Sequence, residues 1–306
     1  RAAKIIMVDM DQAEIDKLGA KVTLQVKADA GAFIVALLDT GFGCHALDDV
    51  RSWRKRCLQW KARYPVVTDE QRNATGAVNS YVFIQELSSR LPDDAIVVTD
   101  AGTAYTCTWQ AAKMKLGQRW IFPHGHAQMG SGLPLAIGAA FATGRKVVCI
   151  VGAGGLQMNI QELAVIAHYK LPIIIFVLNT GGYLTMRHTF SNHYGRETGC
   201  GPESGLSFPN LRSLAKAYGI PYRSCLSMAL FCGKWDGGFS HAVQEEKRHC
   251  LYEIGMPHDQ PLIPRSTSLK RPDGSIVSRP LEDMFPFLPR DEFRAQMIVP
   301  TVEVLE

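Results

Sequence analysis

Apolar positions in this chain recur at two spacings, and the switch between them marks out the elements. Lys4–Val8 (KIIMV) is a continuous apolar run of strand type, a helical stretch follows to Leu18, Lys21–Val26 (KVTLQV) alternates as a strand does, and Gly31–Leu38 reads as a helix. These pieces predict the end of an α/β domain and are too few to close a core. Because Arg1 leads almost at once into a core strand, the start of that domain is expected to be missing or supplied by another polypeptide. From Gly41 to Asn79 the chain is polar and rich in Arg, Lys and Trp (Trp53, Trp60), ending in the turn-like Arg72–Gly76, which predicts a linker with some helix. A second series then begins. Ser80–Leu91 is an amphipathic helix with Ile84, Leu87 and Leu91 on one face, Ala95–Thr99 is a buried strand, and a helix runs to about Lys115. A short strand near Trp120–Phe122, a helix over Gly132–Thr143 with Pro134 in its first turn, and a strand over Lys146–Val151 come next. A glycine turn at Gly152–Gly155, a helix over Asn159–Lys170 and a strand over Pro172–Leu178 complete the series. Strands alternating with helices predict an α/β fold: a mainly parallel sheet with helices on both faces, preceded by a fragment of a second α/β domain. The expected boundaries are 1–40 for that fragment, 41–79 for the linker and 80–306 for the main domain and its tail.

Composition adds limits. With 46% hydrophobic and 20% charged residues among 306, the chain can bury a core and is neither disordered nor collagenous. Its 33 basic and 29 acidic residues are dispersed, so the net charge of +4 gives no nucleic-acid-binding face. Apolar runs such as Leu171–Leu178 are far shorter than the roughly 20 residues of a membrane-spanning helix, and Arg1–Leu18 is too polar for a signal peptide. A cytoplasmic protein without a membrane partner is the expectation. The 8 cysteines show no metal-ligand spacing and are expected to be reduced, although Cys225 and Cys232 lie close enough in sequence to be bridged. Eight of the 27 glycines fall between Gly125 and Gly155, and that concentration points to a site.

Val147–Tyr183 has the length of one strand–helix–strand unit, with glycines at 152, 154 and 155 where the chain leaves the first strand. Such a turn allows close backbone approach to an anion, beyond the carboxyl ends of the strands where ligands of open α/β sheets sit. Asn159 and Glu162 have capping-box spacing at the following helix, whose buried stripe is expected to be Ile160, Leu163, Ala164 and Ala167. A nicotinamide-binding reading fails on the turn G-A-G-G-L-Q-M, which lacks the third glycine.

GAGG-x3-N-x2-EL followed by LPIIIFVLNTGGY resembles the thiamine-diphosphate motif of acetolactate synthase and its relatives, usually GDG, then some 25 to 30 residues, then NN. Val97–Gly102, His124–Ala140 and Ser207–Pro221 resemble the cofactor domain of that family, and Lys4–Leu38 the end of its central domain. Leu281–Pro300 and Gly201–Phe208 look most like acetolactate-synthase-like proteins of surface-polysaccharide and branched-sugar pathways. The resemblance implies a thiamine-diphosphate-binding fold and a carboligase or decarboxylase (a transferase or lyase) acting on a 2-oxo acid such as pyruvate, with thiamine diphosphate and Mg²⁺ as cofactors. It implies a homodimer or tetramer, or a partner chain supplying the pyrimidine-binding domain and its activating glutamate, for which nothing in this sequence is a match. Cofactor-binding positions would be Gly102, Thr103, Met129, Gly152, Gly154, Gly155 and Asn179, with Met129 holding the bent cofactor. His124, His126, Tyr105 and the Gly182–His188 segment are candidates to face substrate.

The family's metal ligands, the Asp of GDG, the second Asn of NN and a backbone carbonyl two residues on, fall on Ala153, Thr180 and Gly182. Ala153 offers no ligand atom and Thr180 a neutral hydroxyl, so the metal anchor is expected to be weakened, and without the activating glutamate this chain alone is expected to be inactive. The competing reading is a non-catalytic relative that keeps the fold as a binding or subunit-interaction module. Ser224–Cys250 departs from the family pattern and is expected to be poorly ordered.

Overall fold

The computed structural model describes residues 3–41, 47–233 and 248–301 and divides into two compact units, residues 66–264 and residues 1–65 with 265–306. The division departs from the expected boundaries because the tail after Pro264 joins the N-terminal unit.

In that unit β1 (Ile6–Asp9) and β2 (Leu24–Lys27) pair in parallel, joined through α1 (Gln12–Leu18), and α2 (Ala30–Asp39) follows. Asp11 and Asp29 cap α1 and α2 by accepting from Ala13 N and Ala32 N. The predicted linker contains a full helix, α3 (Leu47–Arg63). Trp60 Nε1 donates to Gln296 at 2.6 Å and the Tyr64 hydroxyl to Glu292 at 2.7 Å, both partners on the helix Arg290–Gln296. These bonds between distant parts of the sequence explain why α3 belongs to the tail's unit instead of acting as a tether.

The larger unit is a six-stranded parallel sheet in the order β4-β3-β5-β6-β8-β7, made of β3 (Ile96–Thr99), β4 (Arg119–Ile121), β5 (Val147–Gly152), β6 (Ile173–Asn179), β7 (Tyr222–Cys225) and β8 (Cys250–Gly255). Its helices are α4 (Asp69–Arg72), α5 (Ser80–Arg90), α6 (Thr103–Ala111), α7 (Gly132–Thr143), α8 (Ala153–Met158), α9 (Glu162–Tyr169), α10 (Leu184–His193), α11 (Leu211–Ala217) and α12 (Met228–Gly233).

Alternate strand residues point to opposite faces, and both faces are apolar. Val97, Val148, Ile150, Ile174 and Phe176 pack with α5 and α6 on one face, whereas Val98, Cys149, Val151, Ile175 and Val177 pack with α7, α8 and α9 on the other. This double burial is why the strands read as continuous apolar runs. The edge strand β7 carries Tyr-Arg-Ser-Cys, with Cys225 fully buried, and its polar middle hid it from pattern reading. From β3 the chain moves outward to β4, returns across β3 to β5, and proceeds the other way to β6. The crevice between β3 and β5 is therefore a topological switch point.

Two local expectations fail near this crevice. Residues 153–158 form the short helix α8 where a glycine turn was expected, because small buried residues let the chain wind tightly against its neighbours. Asn159 makes no capping box. Its Nδ2 donates to the Gly130 carbonyl at 2.8 Å, and α9 starts three residues later behind Gln161, which makes no side-chain cap. On α9 Ile166 is buried with Leu163, while Ala164 is exposed. Cys225 and Cys232 are both free thiols. Of the segment expected to lack order, β7 and α12 take up its first part, and residues 234–247 lie outside the described residues.

Phe176 is fully buried, its ring 5.5 Å from Phe83 and 5.2 Å from Tyr252. Phe176→Ala is expected to lower unfolding free energy by about 3–5 kcal/mol in urea denaturation, because the sheet cannot collapse into the space left.

Candidate functional site

At the carboxyl ends of β3, β5 and β6 lies a cavity of ≈ 260 Å³. Residues 100–103 form one wall, residues 152–155 a second, and Leu178, Thr180 and residues 182–186 a third, with Ala127 and Met129 entering from the glycine-rich loop before α7. Sequence positions far apart meet here because each follows a neighbouring strand around the switch point.

Asp100 ends β3 and is 1% exposed. Its Oδ1 accepts from Ala101 N at 2.6 Å and Gly130 N at 3.1 Å, and its Oδ2 from Gly132 N at 2.9 Å. Burial raises the carboxyl above its ordinary pKa, the three backbone donors opposing that shift. Asp100 lies within the Val97–Gly102 motif, and one carboxylate closing an apolar strand is a signal visible in the sequence.

Gly155 lies against the same carboxyl: a Cβ there would sit 2.9 Å from Asp100 Cγ. At Gly154 a Cβ would sit 2.1 Å from Cε1 of Tyr183, whose ring is also edge-on to Phe208 at 5.5 Å. These two glycines therefore seat a carboxylate and an aromatic ring. A Cβ at Gly152 would meet nothing within 4 Å.

The turn after β6 is closed on itself. The Thr180 hydroxyl donates to the Gly182 carbonyl at 3.1 Å, and Thr180 is 6% exposed. Asn179, expected to hold cofactor, is absent from the cavity wall. Its Nδ2 donates to Glu253 Oε1 at 2.7 Å and its Oδ1 accepts from Gly181 N at 3.0 Å. The Tyr222 hydroxyl donates to the other Glu253 oxygen; burial foremost, then this bond, raises the phenol's pKa. The buried Arg187 on α10 engages the carbonyls of His258 and Cys200 and lies 3.5 Å from Glu197.

Ala153 is 2% exposed and packs in the apolar cluster of α7, α8 and α9. Met129 is 40% exposed at the cavity wall, which excludes plain core filling. Gly102 and Thr103 lie at the mouth of α6 on the same wall. His124 and Tyr105 are elsewhere: the Tyr105 hydroxyl meets His124 Nδ1 at 3.2 Å within a cluster of rings that includes Trp109 and Phe122. Neither they nor His126 and His188 line the cavity, whereas Gly182–Met186 does. Among the described residues no group of three or more His, Cys, Asp or Glu side chains is placed to hold a metal ion, and no helix is long and apolar enough to cross a membrane.

Residues 100–234 match the family model described as "Thiamine pyrophosphate enzyme, C-terminal TPP binding domain". The acetolactate synthase large subunit of Porphyra purpurea is 32% identical over 222 residues, which cover 71% of this chain and 36% of the relative. The acetolactate synthase isozyme 3 large subunit of Escherichia coli (strain K12) is 30% identical over 224 residues, covering 71% of this chain and 38% of the relative. In fold the chain is similar to the thiamine diphosphate-dependent 4-hydroxybenzoylformate decarboxylase of Rhodococcus jostii RHA1, with a TM-score of 0.60 and 22% identity over 85% of this chain and 45% of that one. The chain thus spans less than half the length of each of these proteins.

Gly154→Ala is expected to destabilise the protein by about 1–3 kcal/mol, because the Tyr183 ring must move. In a Tyr183→Ala background the penalty should shrink, and a double-mutant cycle in urea denaturation measures the coupling. Asp100 binds its proton more tightly folded than unfolded, so its contribution is full below the ordinary 3.8 and is lost as pH rises through the raised value. Wild-type stability relative to Asp100→Asn should therefore fall across that interval, and a flat difference would contradict the burial argument.

Proposed function

We propose that this chain, which belongs to the thiamine-pyrophosphate-dependent, acetolactate-synthase-like family, descends from a carboligase or decarboxylase of 2-oxo acids such as pyruvate and has lost the metal anchor of its cofactor. The observation that carries this reading is the Thr180 hydroxyl bonded to the Gly182 carbonyl at 3.1 Å. Two of the three positions that resemble the family's ligand set thereby engage each other, and the third, Ala153, has no donor and is buried among apolar side chains. Asp100 is the carboxylate on the cavity wall, and its oxygens already accept three backbone N–H bonds.

These residues do not fit a hard divalent cation that wants six oxygen ligands in near-octahedral geometry. No catalytic step is therefore assigned to the cavity. Catalysis by this family's chemistry would further need the pyrimidine-binding domain with its activating glutamate, which no residues of this sequence resemble. The fold itself is intact around the crevice, so the chain keeps a small-molecule site while lacking the means to hold a metal–diphosphate complex there.

Calorimetric titration with thiamine diphosphate and Mg²⁺, on the wild type and on Ala153→Asp/Thr180→Asn, tests this. The wild type is expected to show no Mg²⁺-dependent binding and the double variant to gain it. Each restored contact to a charged partner is worth roughly 1.5–3 kcal/mol, or about 10- to 150-fold in affinity. Equal Mg²⁺-dependent binding by both proteins would overturn the reading, as would its absence from both.

A further inference from the structure

The cavity makes no use of the Arg-, Lys- and Trp-rich stretch between Gly41 and Asn79, whose basic residues lie mostly on α3. Arg51–Arg63 holds 6 basic residues and no acidic one, in a chain whose charges are otherwise dispersed. At about 3.6 residues per turn that run divides into two faces. One is docked: Trp60 and Tyr64 bond to Gln296 and Glu292 of the tail helix, and Arg63 pairs with Glu292 at 2.8 Å. Arg56 lays its guanidinium over the Trp60 ring at 5.1 Å.

The other face carries Arg51, Arg54, Lys55, Leu58, Lys61 and Ala62, all exposed, with Leu58 55% exposed in the middle. Among the described residues no carboxylate pairs with Arg54, Lys55 or Lys61. Leu58 stands three or four positions from each of these cations, so they surround it on adjoining turns. Like charges at such spacing repel, and a partner of opposite charge reverses that cost.

The leucine among the cations selects between anionic partners. A nucleic-acid duplex offers phosphates to the cations and nothing to Leu58. A lipid surface needs an apolar face broad enough to sink below the headgroups, whereas here Leu58 and Ala62 are hemmed in by charge and by the exposed Gln59. A helix that carries Asp or Glu three and four residues from an apolar side chain meets the whole face. We propose that the exposed face of α3 docks an acidic helical segment of another protein, with carboxylates against Arg54, Lys55 and Lys61 and an apolar side chain against Leu58. These residues and the cavity belong to different units, and docking on α3 does not depend on what the cavity binds.

A fluorescein-labelled helical peptide in which glutamates flank leucines at helical spacing is the probe, titrated with the full chain and followed by anisotropy. It is expected to bind, and to bind more weakly as salt shortens the reach of exposed charges below about 8 Å. Arg54→Gln/Lys55→Gln/Lys61→Gln should weaken binding about tenfold or more, since each exposed pair is worth up to a few-fold, and should leave the melting temperature unchanged. Leu58→Ala should weaken it several-fold. Arg54→Glu/Lys55→Glu/Lys61→Glu should release the glutamate peptide and take up its lysine counterpart. Failure of the wild type to bind the peptide, or equal binding by the glutamine variant, would overturn the proposal. Tighter binding of duplex DNA or of phosphatidylserine vesicles than of the peptide, or a Leu58→Ala protein that binds as well as the wild type, would overturn the choice of an acidic helix as the partner.

Discussion

The carboxylate of Asp100 sits where β3 ends and draws backbone N–H groups of residues 101, 130 and 132 onto its two oxygens, with Gly155 packed against its carbon. One side chain therefore joins the turn after β3, the glycine-rich loop, the start of α7 and the start of α8. Those four segments enclose the crevice at the switch point of the sheet. A buried carboxylate without donors would be costly, and here the donors are backbone groups that would otherwise lack partners. Gly132 and Gly155 follow from the interaction, because a Cβ at either would sit 3.0 Å or 2.9 Å from the carboxyl group.

The turn after β6 is held from two sides. On one, Thr180 bonds to the Gly182 carbonyl within the turn; on the other, Asn179 links the Gly181 N–H to Glu253, which also receives the Tyr222 hydroxyl. The side chains of the strand end thus tie the turn to β7 and β8, and the ring of Tyr183 closes over α8. A wall held by internal hydrogen bonds and aromatic packing does not depend on an ion for its shape.

Much of the fold was legible because double burial leaves a strong pattern. The strands β3, β5 and β6 are continuous apolar runs whose two faces each meet a helical layer, and their limits follow from where the apolar run stops. The turn Pro272-Asp273-Gly274, with Asp273 accepting from Ser275 N at 2.8 Å, also carries a clear hairpin signal between Ser268–Lys270 and Ile276–Ser278. Pattern failed where a residue has two possible partners. Asn159 has capping-box spacing, but its amide reaches Gly130, a residue 29 positions earlier, and spacing along the chain is blind to such a competitor. The amide of Asn179 is likewise taken by Glu253, which lies 74 residues away in sequence and one strand away in space.

By itself the sequence determined the α/β class and the order of most elements, since periodicity is a property of residue type, and it set which side chains stand at positions 153 and 180. Tertiary structure alone decided that Gly154 and Gly155 accommodate Tyr183 and Asp100, that Asn179 faces Glu253, that the tail joins the N-terminal unit, and that among the described residues no basic side chain lines the cavity. Each of these depends on which groups the sheet order brings within a few ångströms, and a hydrogen bond or a close contact is set by that distance, whatever the separation along the chain.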